Sequence, residues 1–165
     1  MAPRSTWLSS ARMGLARFIA DLFPPFGRRF SRSSEAGENA DHRLGREGER
    51  LAERHLRRHG YKILHRNFRA PRGGEVDLVC RDKSCDTLVF VEVKTRRGLG
   101  YGAPAEAVTR AKQKLIARGA LAWLRLLDHP DILIRFDIVE IVIEHDRPVF
   151  NVIKDAFQLP EPYRY

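Results

Sequence analysis

The 165-residue chain is poor in cysteine, methionine and tryptophan, with two of each, and has no apolar run near the ~20 residues that a membrane-spanning helix needs. Cys80 and Cys85, lacking Cys or His partners at zinc spacing, make no disulfide framework or zinc site and point to a reducing, cytoplasmic setting. His55 and His59 stand four residues apart, as a helical metal pair would. With neither the Glu of a zinc-protease motif nor a third ligand, they read as helix-surface residues. No internal repeat occurs, and no Rossmann unit or P-loop Lys-Ser/Thr accompanies Gly98, Gly100 and Gly102, which therefore read as a loop rather than a nucleotide cradle. Acidic residues are also in deficit, 21 against 30 Lys and Arg, giving a net charge of +9. The excess is spread over the stretch through Leu44 (+3) and the remainder (+6). Such a surplus suits phosphate backbones, whose neutralisation releases counterions, although a soluble basic protein without that partner has the same balance.

The length fits one domain plus an arm. Residues 1–42 form the basic N-terminal arm, residues 43–157 the domain and residues 158–165 a tail. In the arm, Leu8, Ala11, Leu15, Phe18, Ile19 and Leu22 recur at helical spacing until Pro24-Pro25. That pattern suits a surface-lying or targeting helix; the preferred reading is a flexible extension, or an overlong start assignment with Met13 available as a later start. No stable membrane insertion is expected.

A helical pattern runs from Leu44 to His59, closed by Gly60 as a left-handed terminator. Strands follow at 61–68, 74–81 and 87–95, then a glycine-rich loop, a helix over 104–127 with Pro104 in its first turn, and a strand from Ile132 to Ile143 interrupted by Arg135, Asp137 and Glu140. The result is an α/β domain of order αβββαβ, a mixed sheet flanked by helices.

One constellation states a chemistry. Asp77 stands fifteen residues ahead of Glu92-Val93-Lys94, and the two segments read as a hairpin around Asp82-Lys83-Ser84-Cys85-Asp86. Placing Asp77 opposite Glu92 sets Glu75 opposite Lys94 and pairs Val76/Val93, Leu78/Val91 and Cys80/Val89 on the other face, so one face is core and the other a site. Two carboxylates with Cβ atoms about 5 Å apart repel unless a cation lies between them, and Mg²⁺ or Mn²⁺ with oxygen ligands is the natural one. Lys94 can hold the attacking water or neutralise charge on a pentavalent phosphate. A surface hairpin of solvated ion pairs is the bland alternative. Glu49 falls at the margin of the apolar face of its helix, where it is also an ordinary first-turn Glu favoured by the dipole. Lys112 lies inside the apolar face of the second long helix and either snorkels out or reaches toward the carboxylates. Between Arg46 and Arg72, nine basic residues face three acidic ones. Arg46, Arg66, Arg69, Arg72, Arg96 and Arg97 are the candidate contacts to a nucleic-acid backbone.

Asp followed by Glu-x-Lys resembles the signature of the PD-(D/E)xK nucleases, the restriction-endonuclease-like superfamily. The wider run is more specific. Gly45-Arg46-Glu47-Gly48-Glu49, Gly60-Tyr61-Lys62-Ile63-Leu64, Asn67-Phe68-Arg69, Gly74-Glu75-Val76-Asp77-Leu78, Phe90-Val91-Glu92-Val93-Lys94 and Lys112-Gln113 resemble the bacterial YraN family, similar in fold to archaeal Holliday-junction resolvases. The likeness covers about residues 43 to 157, with Val76-Asp77 where the superfamily has proline-aspartate. It implies a restriction-endonuclease-like core, Glu49 as a third metal ligand beside Asp77 and Glu92, and auxiliary roles for Glu75, Lys112 and Gln113. The expected activity is structure-selective, metal-dependent hydrolysis of nucleic acid, DNA foremost. A catalytically inactive binding module of the same fold is the alternative, and a homodimer is compatible with either.

Overall fold

A computed structural model of the chain describes residues 40–98 and 108–159. The amphipathic stretch of the arm, residues 99–107 with Pro104, and residues 160–165 lie outside the described residues. The elements are α1 (Ala40–Arg58), β1 (Tyr61–Arg69), β2 (Glu75–Asp82), β3 (Thr87–Arg97), α2 (Arg110–Leu126), β4 (Ile134–Glu144) and β5 (Arg147–Ile153). The sheet order is β1-β2-β3-β4-β5; β3 and β4 run parallel and all other neighbours antiparallel. A parallel pair needs a long crossover, and α2 lies within it.

The α/β class and mixed sheet are as expected, but the order is αβββαββ. Strand β5 escapes sequence reasoning because Pro148 argues against a strand and its turn lacks the usual Asn-Gly. The turn is His145-Asp146, both left-handed (φ 48° and 60°), a two-residue reversal of the kind that matches strand twist. Pro148 is tolerated because β5 is an edge strand. Helix α1 starts at Ala40, ahead of both the expected Leu44 and the arm boundary at 42, with Asp41 favouring the first-turn dipole. Helix α2 starts at Arg110, since Thr109 caps it by accepting from the Lys112 amide at 3.3 Å. Gly60 does turn the chain out of α1, at φ 87°.

Ala52 and Leu56 of α1 pack with Leu78, Cys80, Val89, Val91, Val139 and Ile141 into one core cluster. The expected pairs Leu78/Val91 and Cys80/Val89 form as read. The opposite face is not an open polar surface. Val79, Phe90 and Phe136 are buried there, and α2 contributes buried Ile116, Ala117, Ala120, Trp123 and Leu124. The sheet is therefore covered on both sides, and the site lies toward one end of its strands.

At that end the two-residue alternation slips. Arg66 faces Glu53 of α1, Asn67 also faces α1 through Glu49, and Phe68 turns to Trp123 of α2. Asn67 makes the slip by adopting φ 50° within a strand, a conformation that Asn tolerates better than most side chains. On β2 the matching change puts Leu78 in the α1 cluster and Val76 against Gly119 of α2. The expected Val76/Val93 pair on one face is therefore not formed, and the β2–β3 ladder ends at Leu78/Val91.

Candidate active site

Where β2 and β3 part, the Asp77 carboxylate takes over from the ladder. Its Oδ2 accepts the Val93 amide at 2.8 Å, so the two strands are joined there by a side chain. Burial, together with the charge of Glu92, pushes Asp77 up to about 7, against the Val93 hydrogen bond and Lys112; Glu49 adds to the rise. Buried Glu92 lies between two ammonium groups, Lys94 Nζ at 2.9 Å from Oε1 and Lys112 Nζ at 3.3 Å from Oε2. Lys112 also reaches Glu75 at 2.5 Å. Burial opposes the charge on Lys112, yet Glu75, Glu92 and Asp77 together raise its pKa, and the Lys112 hydrogen bond holds Glu75 below the ordinary carboxylate range. Lys112 thus reaches the acidic group, and Glu75 is bridged by it rather than set opposite Lys94 in the ladder.

Glu49 arrives from α1 by a close approach. Gly48 is buried against β3, and a Cβ built on it would lie 1.7 Å from Thr95 Oγ1. Only a residue without a side chain lets the helix come so near. Glu49 is then held by Asn67, whose Nδ2 donates to Oε2 at 2.9 Å. Asn67 is the partner of Glu49 that the strand pattern conceals; an Asn inside an otherwise β-like run was the available signal. Among the described residues no three carboxylate, histidine or cysteine groups are already closed around one point at ligand distance. Asp77 and Glu92 act on each other directly, and Glu49 joins them through its charge.

The remaining candidates divide. Arg46 and Arg69 line an open pocket of about 480 Å³ with Glu49 and Asn67. Exposed Arg69 also lies 3.7 Å from Glu75. Arg72 is on the turn between β1 and β2, and Arg96 and Arg97 end β3. Arg66 is paired with α1. Its guanidinium is forked onto Glu53 at 2.7 and 2.5 Å, which lowers the Glu53 pKa and leaves the other N–H groups on an exposed side chain. Gln113 is also spent locally, donating to the Val108 carbonyl at 3.1 Å beside the start of α2 rather than joining the carboxylates.

At the other end of the strands, Arg135 joins Asp82 (3.0 Å), Asp137 (2.8 Å) and the Tyr61 hydroxyl (3.1 Å). Asp137 is fully buried on β4, an interior strand, and is this arginine's partner.

A helix, three antiparallel strands, a crossover helix and a parallel fourth strand, with Asp77 and Glu92-Val93-Lys94 at the divergence, define an α/β protein of restriction-endonuclease-like architecture. Residues 48–141 match the model of the uncharacterised protein family UPF0102. The chain belongs to that family, also called the YraN family. It is similar to the UPF0102 protein GSU0650 of Geobacter sulfurreducens, at 50% identity over 126 residues, 74% of this chain and 96% of the relative. The UPF0102 protein of Rhodococcus opacus is 51% identical over 115 residues (69% and 95%), and that of Pelobacter propionicus 44% over 137 residues (82% and 96%). Among the described residues no helix is long and apolar enough to cross a membrane.

Proposed function

We propose that this protein is a metal-dependent endonuclease that hydrolyses phosphodiester bonds of nucleic acid, DNA foremost, selecting structure rather than sequence. One observation carries the reading: the Asp77 carboxylate leaves the strand ladder beside a buried Glu92 whose Oε2 accepts no hydrogen bond among the described residues. Carboxylates confined in this way call for cations, and the donors are all hard oxygens. Glu49, Asp77 and Glu92, with the Val93 carbonyl, are the groups that would hold Mg²⁺ or Mn²⁺. Such an ion, when bound, supplies an acidified water and offsets charge on the phosphate. Lys94, anchored on Glu92, would donate to the attacking oxygen or to the oxygens of the crowded phosphate. Lys112, held by Glu75, keeps a second positive charge at the same carboxylate. Arg46 and Arg69 line one pocket with Glu49 and would grip phosphates, which fixes position without reading bases.

The rival is a binding module of the same fold without turnover. The two lysines beside Glu92 favour it, because their charge meets part of the need that a metal would otherwise serve, while buried Oε2 still accepts no hydrogen bond among the described residues. A cleavage assay on duplex, single-stranded and branched DNA with Mg²⁺, Mn²⁺ or EDTA separates the two. The nuclease reading expects metal-dependent products from the wild type and none from Asp77→Ala or Lys94→Ala. Undiminished DNA binding with no cleavage under any metal would establish the rival.

A further inference from the structure

A groove of about 460 Å³ lies between the β1–β2 turn and the outer face of α2. Pro71, Leu121 and Ala122 give it an apolar floor, Arg72, Arg118 and Arg125 stand around it, and no acidic residue lines it. Arg118 and Arg125 are seven residues apart on α2, so they share a side of the helix about 10 Å apart along its axis. Among the described residues, no ion pair occupies any of the three guanidinium groups.

The walls are braced together. Gly74 has φ 126°, and a Cβ built on it would fall 2.6 Å from the Gly119 amide nitrogen; one built on Gly119 would fall 2.9 Å from Val76 Cγ2. The turn is thus seated directly on the backbone of α2, and it is closed by the Ala70 amide donating to the Gly74 carbonyl at 2.9 Å. Glu75 follows Gly74 and binds Lys112 of the same helix, about 9 Å along its axis from Arg118, so the walls of the groove lead toward the candidate active site.

We propose that this groove holds an unpaired nucleotide of the strand that flanks the scissile phosphate. Resting on the nuclease reading, the inference narrows its substrate to DNA with a single-stranded segment next to the cut. Arginines answer the charge of any DNA backbone. The apolar floor is the discriminating feature, because base and sugar faces are available to it only when the base is out of the duplex. Guanidinium planes can stack on such a base while holding its phosphates. A site meant for paired DNA alone would need the charges but not the floor.

The test measures binding of the full chain in EDTA to three labelled DNAs: a single strand, a duplex with a single-stranded overhang, and a blunt duplex. The variants are Arg118→Ala/Arg125→Ala and Ala122→Glu, the second placing a carboxylate on the floor without removing an arginine. Thermal melting checks that each is folded. Both variants are expected to weaken single-strand and overhang binding by about tenfold or more, with blunt-duplex affinity changed less than about threefold. The salt slope for the single strand should fall by about 1.4 in the double variant, ~0.7 for each lost contact. Equal losses on all three DNAs, or undiminished single-strand affinity, would overturn the proposal. Wild-type cleavage with Mn²⁺ is scored separately. Selective loss without cleavage removes the nuclease and leaves the groove, whereas cleavage with equal losses does the opposite.

Discussion

Two glycines of one helix should respond to the same substitution with opposite signs. A Cβ on Gly45 would meet nothing within 4 Å, whereas a Cβ on Gly48 would lie 1.7 Å from Thr95 Oγ1 and 2.8 Å from Thr95 Cβ. Gly→Ala in a helix interior is worth up to about 1 kcal/mol in propensity, so Gly45→Ala should stabilise by several tenths to 1 kcal/mol. Gly48→Ala has the same propensity gain but forces Thr95 to rotate or α1 to lift. Overpacking of this kind costs about 1–3 kcal/mol, and a 1.7 Å contact belongs at the upper end, leaving a net loss of about 1–2 kcal/mol. Thr95→Ala removes the oxygen and leaves the 2.8 Å carbon contact, which still requires the backbones to part. The cost of Gly48→Ala should then fall without vanishing in that background, giving a coupling of about 1 kcal/mol in a double-mutant cycle. Urea denaturation of the four proteins, with Gly45→Ala as control, measures each quantity. Equal shifts from the two glycine substitutions, or strict additivity with Thr95→Ala, would refute the claim that this contact sets how close Glu49 comes to the sheet.

Asp77, raised by burial and by Glu92 to about 7, disfavours folding increasingly as pH climbs from the ordinary carboxylate range to 7: its stabilising share is whole below about pH 4 and gone above 7. Asp77→Asn should therefore gain stability over the wild type at pH 8 in EDTA, with little gain near pH 4, as read by urea midpoints across pH. Arg135→Ala leaves buried Asp137 without its cation and Asp82 with only Lys154 at 3.7 Å, and should cost about 3–5 kcal/mol by the same method. Burial raises the Asp82 pKa, but Ser84 and Arg135 outweigh it and hold the carboxyl below its usual range. That contribution is present near neutrality and lost as pH falls below the ordinary carboxylate value, so the Arg135→Ala variant should show a shallower acid slope.

Most of the framework is legible in the residues. Alternation fixes the β2–β3 register because a one-residue slip would expose the valines, and Gly60 marks where α1 must end. The site is legible in part. Asp77, Glu92 and Lys94 announce themselves by spacing, and Lys112 by being a charge on an apolar helix face. Arg66 looks as available as Arg69 in the chain; only the fold reveals that Glu53, thirteen residues earlier, has claimed it. Gln113 is lost to the backbone beside the start of its own helix. Asn67 stays hidden because its role depends on φ, which no pattern of apolar residues encodes. Pro148 and the glycine-free turn His145-Asp146 hide β5 for a similar reason.

The Arg135 cluster ties β1, β2 and β4 together by side chains, while toward the other end of the strands the hydrogen-bond ladder between β2 and β3 stops short. Firmness and chemistry are thereby assigned to opposite poles of one sheet. Substitutions that toughen the protein can be gathered around the first pole, leaving the loosened strands at the second free to adjust to whatever they grip.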